Sequence, residues 1–197
     1  LMNSLNFIDN MDGFAAINSS FICLALTILS FVYNQNYLAD ISFILLLTLL
    51  GFTVYNFPPA KLYMGDSGSL FIGFIFGFIS ILFDWNPSGE SYLYSSIAPI
   101  FLFFTIPLLD FSTVFVYRIK NNISPAVGGT DHISHRLLNQ GNSVKKVLLL
   151  ISYLNIYIFI LLGLTIISYS LSVFVFIVYL GTIITLFLKF QKMEPLN

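Results

Sequence analysis

Long apolar runs at residues 14–33, 41–57, 69–84, 93–117, 147–168 and 171–188 dominate this chain. A helix needs about 20 mostly apolar residues to cross a bilayer. The second and third runs are short for that, with room to extend into the polar motifs flanking them. An open strand edge in lipid leaves backbone groups unsatisfied, so each run is expected to be helical. The expectation is an all-α fold, a polytopic transmembrane helix bundle of about six spanning helices, forming a single integral membrane domain over residues 1–197. Composition points the same way: 57% of residues are hydrophobic and only 9% are charged, against roughly 25% charged in soluble domains.

The basic residues set the orientation. The connections 34–40, 84–92 and 169–170 contain no Lys or Arg. Lys61, Arg118, Lys120, Arg136, Lys145, Lys146, Lys189 and Lys192 all fall on the opposite side. Loops enriched in Lys and Arg stay in the cytosol. The basic side, with the loop 118–146, is therefore expected to be cytosolic. Trp85 and Tyr92 are expected in an outer aromatic belt. A net charge of −1 provides no bulk field, and no nucleic-acid partner is expected. Cys23 lies in an apolar run and reads as a small buried hydrophobe. No basic segment precedes the first run, so no signal peptide is read. The chain opens inside a polar motif, and is expected to be the C-terminal part of a larger protein.

The polar motifs gather on the basic side. Asp9 and Asp12 are three residues apart and would share one face of a helix. They would either repel until a cation or hydrogen bonds relieve them, or serve the N-terminus of the following helix. Asp66 lies in Met64-Gly65-Asp66-Ser67-Gly68-Ser69, directly before an apolar run. Capping explains an Asp there, and so does a carboxylate holding Mg²⁺ against phosphate oxygens. His132 and His135 are also three apart, with Arg136 adjacent. A two-His metal site has few ligands; a phosphate cradle with Arg118, Lys120, Lys145 and Lys146 suits them better, and a plain basic cytosolic loop is the alternative. Asp110 stands inside an apolar run, where a carboxylate is costly unless it serves a function or reaches the interface. Ser69, Gly73 and Gly77 form a small-residue stripe for close helix packing, with a homodimer contact as the alternative.

Four strings in order resemble one family. Asn3-x-x-Asn6-Phe7-Ile8-Asp9-x-x-Asp12-Gly13 comes first. Asn56-Phe57-Pro58-Pro59-Ala60-Lys61-x-x-Met64-Gly65-Asp66-Ser67-Gly68-Ser69 is the most specific. Pro107-x-x-Asp110 follows, then Ser124-Pro125 with Asp131-His132-x-x-His135-Arg136-Leu137. The chain is similar along its whole length to the polyprenyl-phosphate N-acetylhexosamine-1-phosphate transferases, glycosyltransferase family 4. Asn10 stands where that family usually has Gly, and Ser134 where many members have a middle histidine. The family's upstream pair of adjacent aspartates does not occur in this chain.

The resemblance implies a Mg²⁺-dependent enzyme (Mn²⁺ is the alternative ion) of the bacterial inner membrane, multi-pass, with its active site on the cytosolic face. It would move a sugar-1-phosphate from a UDP-N-acetylhexosamine to polyprenyl (undecaprenyl) phosphate within membrane lipid, releasing UMP and initiating an envelope glycan. Asp66 is implied as the metal ligand, with Asp9 and Asp12 beside it as catalytic residues. Tyr63 is implied to stack on uracil, and His132, His135 and Arg136 to contact the diphosphate or sugar, with Asn6 and Lys61 as further substrate-binding residues. A phospho-MurNAc-pentapeptide transferase is the enzymatic alternative. A transporter or an inactive membrane fragment is the alternative outside enzymes.

Overall fold

A computed structural model describes residues 1–85, 100–125, 127–167 and 169–195. They form helices α1 (Met2–Ile8), α2 (Phe14–Val32), α3 (Asn36–Asn56), α4 (Gly65–Leu82), α5 (Thr105–Lys120), α6 (Ile133–Asn139), α7 (Val144–Ile167) and α8 (Tyr169–Lys192). No strand occurs among the described residues. Five helices are long and apolar enough to cross a membrane: Phe14–Val32, Asn36–Asn56, Gly65–Leu82, Val144–Thr165 and Leu171–Lys192. The chain is a multi-pass membrane protein. The two short runs do extend into their flanks: Asn36–Asp40 begin α3 instead of forming a loop, and the Gly65-Asp66-Ser67-Gly68 string is the first turn of α4.

The fourth run, 93–117, begins outside the described residues, and its described part breaks at Phe104. Pro107 supplies the cause. Its ring excludes the carbonyl four residues back and it donates no N–H. The exposed carbonyls at the break are recovered by side chains. Thr105 Oγ1 donates to Phe101 O at 2.9 Å and Leu102 O at 2.8 Å, and Tyr179 O–H donates to Phe101 O at 3.0 Å. In an apolar medium such repairs are required for a break to persist.

Helix α2 is the centre of the bundle, with 67% of its apolar window buried against 11% for α8. Its hydroxyls turn back onto its own backbone, Ser20 to Ala16 O and Thr27 to Cys23 O, both at 2.8 Å. Cys23 is fully buried, as its apolar setting predicts. The α2–α3 turn is tied to the far end of α4 by Gln35, whose amide donates to Asp84 O at 2.8 Å and accepts from Asp84 N at 2.9 Å. Trp85 departs from the expected aromatic belt. It is 8% exposed, packs on Phe83 and Phe103 at centroid distances of 4.5 and 5.5 Å, and donates Nε1–H to Ser80 O. The other belt candidate, Tyr92, lies outside the described residues.

The small-residue stripe on α4 serves an intramolecular contact. A Cβ on Gly73 would stand 2.6 Å from the Met2 Cα, so α1 lies backbone to backbone against α4. Ser69 is fully buried under the same helix, whereas a Cβ on Gly77 would meet nothing within 4 Å. Gly73→Val is therefore expected to displace α1 and lower stability by about 1–3 kcal/mol, in the range for overpacking. Gly77→Val should change little. Thermal unfolding in detergent separates the two, and equal midpoints would remove α1 from this place.

Candidate active site

The site is built where α1 ends. Helix α1 stops at Ile8, and Asp9 is its C-cap residue. Asp9 and Asp12 thus stand in a turn, contrary to the helical spacing expected of them. The turn closes at Gly13, whose φ of +75° begins α2 in the left-handed region that glycine tolerates best. Gly13 N–H donates to Asn56 Oδ1 at 2.9 Å, and Asn56 Nδ2 donates to Leu62 O at 2.8 Å. The loop 57–64 is pinned again from below by Asp12, which accepts Ala60 N–H at 2.9 Å. Asn56 is 3% exposed and holds both motifs together, a role its place in the most specific string did not assign. A buried amide at the end of an apolar run was the available signal.

Asp66 sits exposed in the first turn of α4, with no side-chain cap bond of its own. It accepts Asn6 Nδ2–H at 2.9 Å, and the same amide reaches Ser69 Oγ at 3.0 Å. Asp9 stands on the other side of this contact. Burial pushes its carboxyl up to about 6, a hydrogen bond from Gly65 opposes the rise, and the Asp66 charge adds to it. Two strings 57 residues apart (66 − 9) are thus brought together at this turn. Lys61 and Tyr63 are exposed on the loop leading to Asp66, Tyr63 at 72%.

The pH consequence has a definite sign. Asp9 is raised above its ordinary value of 3.8, so the folded state holds a proton that the unfolded state has lost between pH 4 and 6. Stability from this site is present in acid and is lost as pH rises through about 6. Asp9→Asn should raise the unfolding midpoint at pH 7 and leave it unchanged at pH 4. An equal rise at both values would show that Asp9 is not held in its uncharged form by this environment.

The histidine string is placed by the end of α5. Asp110 is 1% exposed and spends both oxygens on it: Oδ2 lies 2.8 Å from His132 Nδ1, and Oδ1 accepts Ile133 N–H at 2.7 Å. It thus supplies the start of α6 with an acceptor. The His132 ring meets Phe7 edge-on at 5.4 Å, and Phe7 stacks on Phe111 at 5.8 Å. Helix α1 therefore touches the acidic cluster through Asn6 and the histidines through Phe7. His135 lies 6.3 Å from His132 between ring centroids. Burial lowers its pKa below the ordinary value, and the His132 charge lowers it further. Its Nδ1 is buried without a hydrogen-bond partner among the described residues. No cluster of three His, Cys, Asp or Glu side chains suited to a metal occurs among the described residues.

Both arginines of the expected phosphate cradle are turned inward. Arg118, 2% exposed, pairs Nε and Nη2 with the two oxygens of Asp131, each at 2.7 Å. Its Nη1 donates to Pro125 O at 2.9 Å and also to Val127 O. Arg136, expected at the diphosphate or sugar, is fully buried. It donates to Asp131 O at 2.7 Å and to Phe190 O and Met193 O at the end of α8, and lies over the Tyr117 ring at 4.5 Å. A guanidinium suits a helix C-terminus because it meets the unpaired carbonyls and the negative end of the dipole. The exposed cations at this end are Lys61, Lys120, Lys145, Lys146, Lys189 and Lys192.

Residues 1–84 match the glycosyl transferase family 4 description. A probable undecaprenyl-phosphate N-acetylglucosaminyl 1-phosphate transferase of Bacillus subtilis (strain 168) is 30% identical over 180 residues, covering 91% of this chain and 49% of that protein. The decaprenyl-phosphate N-acetylglucosaminephosphotransferase of Mycolicibacterium smegmatis is 31% identical over 166 residues, 77% of this chain and 41% of the relative. A phospho-N-acetylmuramoyl-pentapeptide-transferase of Chlamydia muridarum is 44% identical over 84 residues, 41% of this chain and 25% of the relative. The chain spans about half the length of the first of these relatives or less. No solved structure matches it significantly.

Proposed function

We propose that this chain, which belongs to glycosyl transferase family 4, is the part of a bacterial inner-membrane enzyme that transfers N-acetylglucosamine-1-phosphate, or a related N-acetylhexosamine-1-phosphate, to undecaprenyl phosphate. An oxygen of the lipid phosphate attacks the β-phosphorus of the UDP-sugar. The bond to the bridging oxygen breaks, UMP leaves, and the sugar remains on a lipid diphosphate. The single observation that carries this reading is Asn6, whose amide donates to Asp66 while its carbonyl accepts Asp9 N–H at 3.1 Å, at the end of the bundle where the basic residues gather.

The residues present suit a magnesium ion. Mg²⁺ is usually held by one or two carboxylates with substrate phosphates, and seldom by a full protein cage. Asp66 is exposed and Asp9 is crowded by its charge, so a dication would relieve both. When bound, the ion would neutralise charge on the diphosphate and the leaving nucleotide. Asn6 orients Asp66, and Asp12 holds the Ala60 backbone of the loop that carries Lys61 and Tyr63. Lys61 meets a phosphate, and exposed Tyr63 offers a stacking face for uracil. His132, with Nδ1 turned to Asp110, keeps Nε2 for the diphosphate or sugar, and His135 hydrogen-bonds beside it. This end of the bundle faces the cytosol, because all the basic residues lie there.

The muramoyl-pentapeptide reading has the higher identity over 84 residues, but the N-acetylglucosamine relative is matched over 180. Membranes containing the whole protein should release UMP from UDP-N-acetylglucosamine only with undecaprenyl phosphate and Mg²⁺ present. Release from the UDP-MurNAc-pentapeptide alone would select the alternative. Solute uptake without any UMP would replace the enzyme with a transporter.

A further inference from the structure

We infer that Asn10 and Ser134 are a volume-matched positioning pair, holding the histidine-bearing helix α6 in register with the acidic turn at Asp9. The inference rests on the proposed transferase reading for its kinetic test. Ser134 is fully buried and donates its hydroxyl hydrogen to Asn10 Oδ1, across 124 residues of sequence. Asn10 Nδ2 in turn donates to Phe7 O, in the last turn of α1. The amide is thus engaged at both ends, between the turn that carries Asp9 and the first turn of the helix that carries His135. Asn10 also stands where the resembled family usually has Gly, and Ser134 where many members have a histidine. The two departures touch each other.

The geometry supplies the reason. Ser134 has no exposed surface, so a larger side chain there has no solvent side to turn into. Room for an imidazole at 134 has to come from the residue it faces, the Asn10 amide. A large residue at the fully buried position 134 therefore requires a small one at 10. Helix α6 keeps its other anchors, Asp110 on the Ile133 N–H and Arg136 on the end of α8. Loss of the pair therefore shifts the helix against Asp9 without unfolding it. Reactions that need two groups held together are sensitive to displacements of about 1 Å.

The test uses the whole protein in membranes with Ser134→His, Asn10→Gly and the double variant, reading UMP release and the unfolding midpoint. Ser134→His should lower kcat at least about tenfold with KM for the UDP-sugar little changed, and Asn10→Gly about threefold. The double variant should return to within about threefold of wild type. That is a coupling of tenfold or more, about 1.4 kcal/mol. A double variant as slow as the product of the singles overturns the pairing. Recovery of the midpoint without recovery of kcat overturns the positioning role, leaving a structural contact. If the wild-type protein releases no UMP, the transferase reading fails on its own. The pair is then judged by the midpoints, where non-additivity supports it and additivity rejects it.

Discussion

Asp66→Asn is expected to reduce UMP release by about 10³-fold or more while leaving abundance and unfolding midpoint unchanged. The reasoning is structural. Asp66 is exposed, so its charge is not compensated by burial elsewhere. Its hydrogen-bond partner is Asn6 Nδ2, and an asparagine oxygen at 66 accepts that bond equally well. The substitution therefore removes a charge and little else. The repulsion that helps raise Asp9 falls with it, so the variant should be no less stable at neutral pH. Only a role for the carboxylate in holding a cation against substrate phosphates makes this change severe. Turnover within a few-fold of wild type would remove Asp66 from the reaction. Lost abundance together with lost turnover would assign it to folding.

The largest stability effect is expected at the other motif. Asp131→Ala strands the Arg118 guanidinium at 2% exposure without its counter-charge, and should cost about 3–5 kcal/mol. Carbonyls of Pro125 and Val127 remain as partners for Nη1, but Nε and Nη2 lose theirs. Replacing both members by apolar residues, Arg118→Met with Asp131→Leu, should recover most of that loss, because neither charge is then left buried alone. Thermal unfolding of the two variants in detergent decides the matter. A single variant that melts like wild type would show that the pair is open to water. UMP release should follow the stability, since the pair holds the loop that leads to His132.

The helices and their environment were legible in the sequence because lipid leaves a chain few choices. Apolar runs of that length must satisfy their own backbone, and α2, α3, α4, α7 and α8 appear where the runs are. The candidate site was legible as a set of strings, since Asp9, Asp66 and His132 each stand in a polar motif bordering an apolar run. Their mutual geometry was not. Spacing put Asp9 and Asp12 on one helical face, yet the chain turns at Gly13 and sends them to different partners, Asp9 to Gly65 and Asp12 to Ala60. Local periodicity is silent on contacts between residues far apart, and the Asn6–Asp66 bond joins positions 60 residues apart.

Charged and aromatic residues show the same division. A positive charge near a phosphate-handling motif reads as a ligand, but Arg118 and Arg136 are consumed by Asp131 and by the end of α8. Trp85 next to a predicted outer loop reads as a belt residue, but Phe83 and Phe103 enclose it. Sequence alone determined that this chain lies in a membrane, which runs cross it, and which end gathers the polar chemistry, because transfer energies and charge placement are properties of segments. Tertiary structure alone decided which carboxylates crowd each other, which cations remain free, and that Asn10 faces Ser134. Those are properties of pairs, set when α1 is laid against α4 and α5, and no single segment contains them.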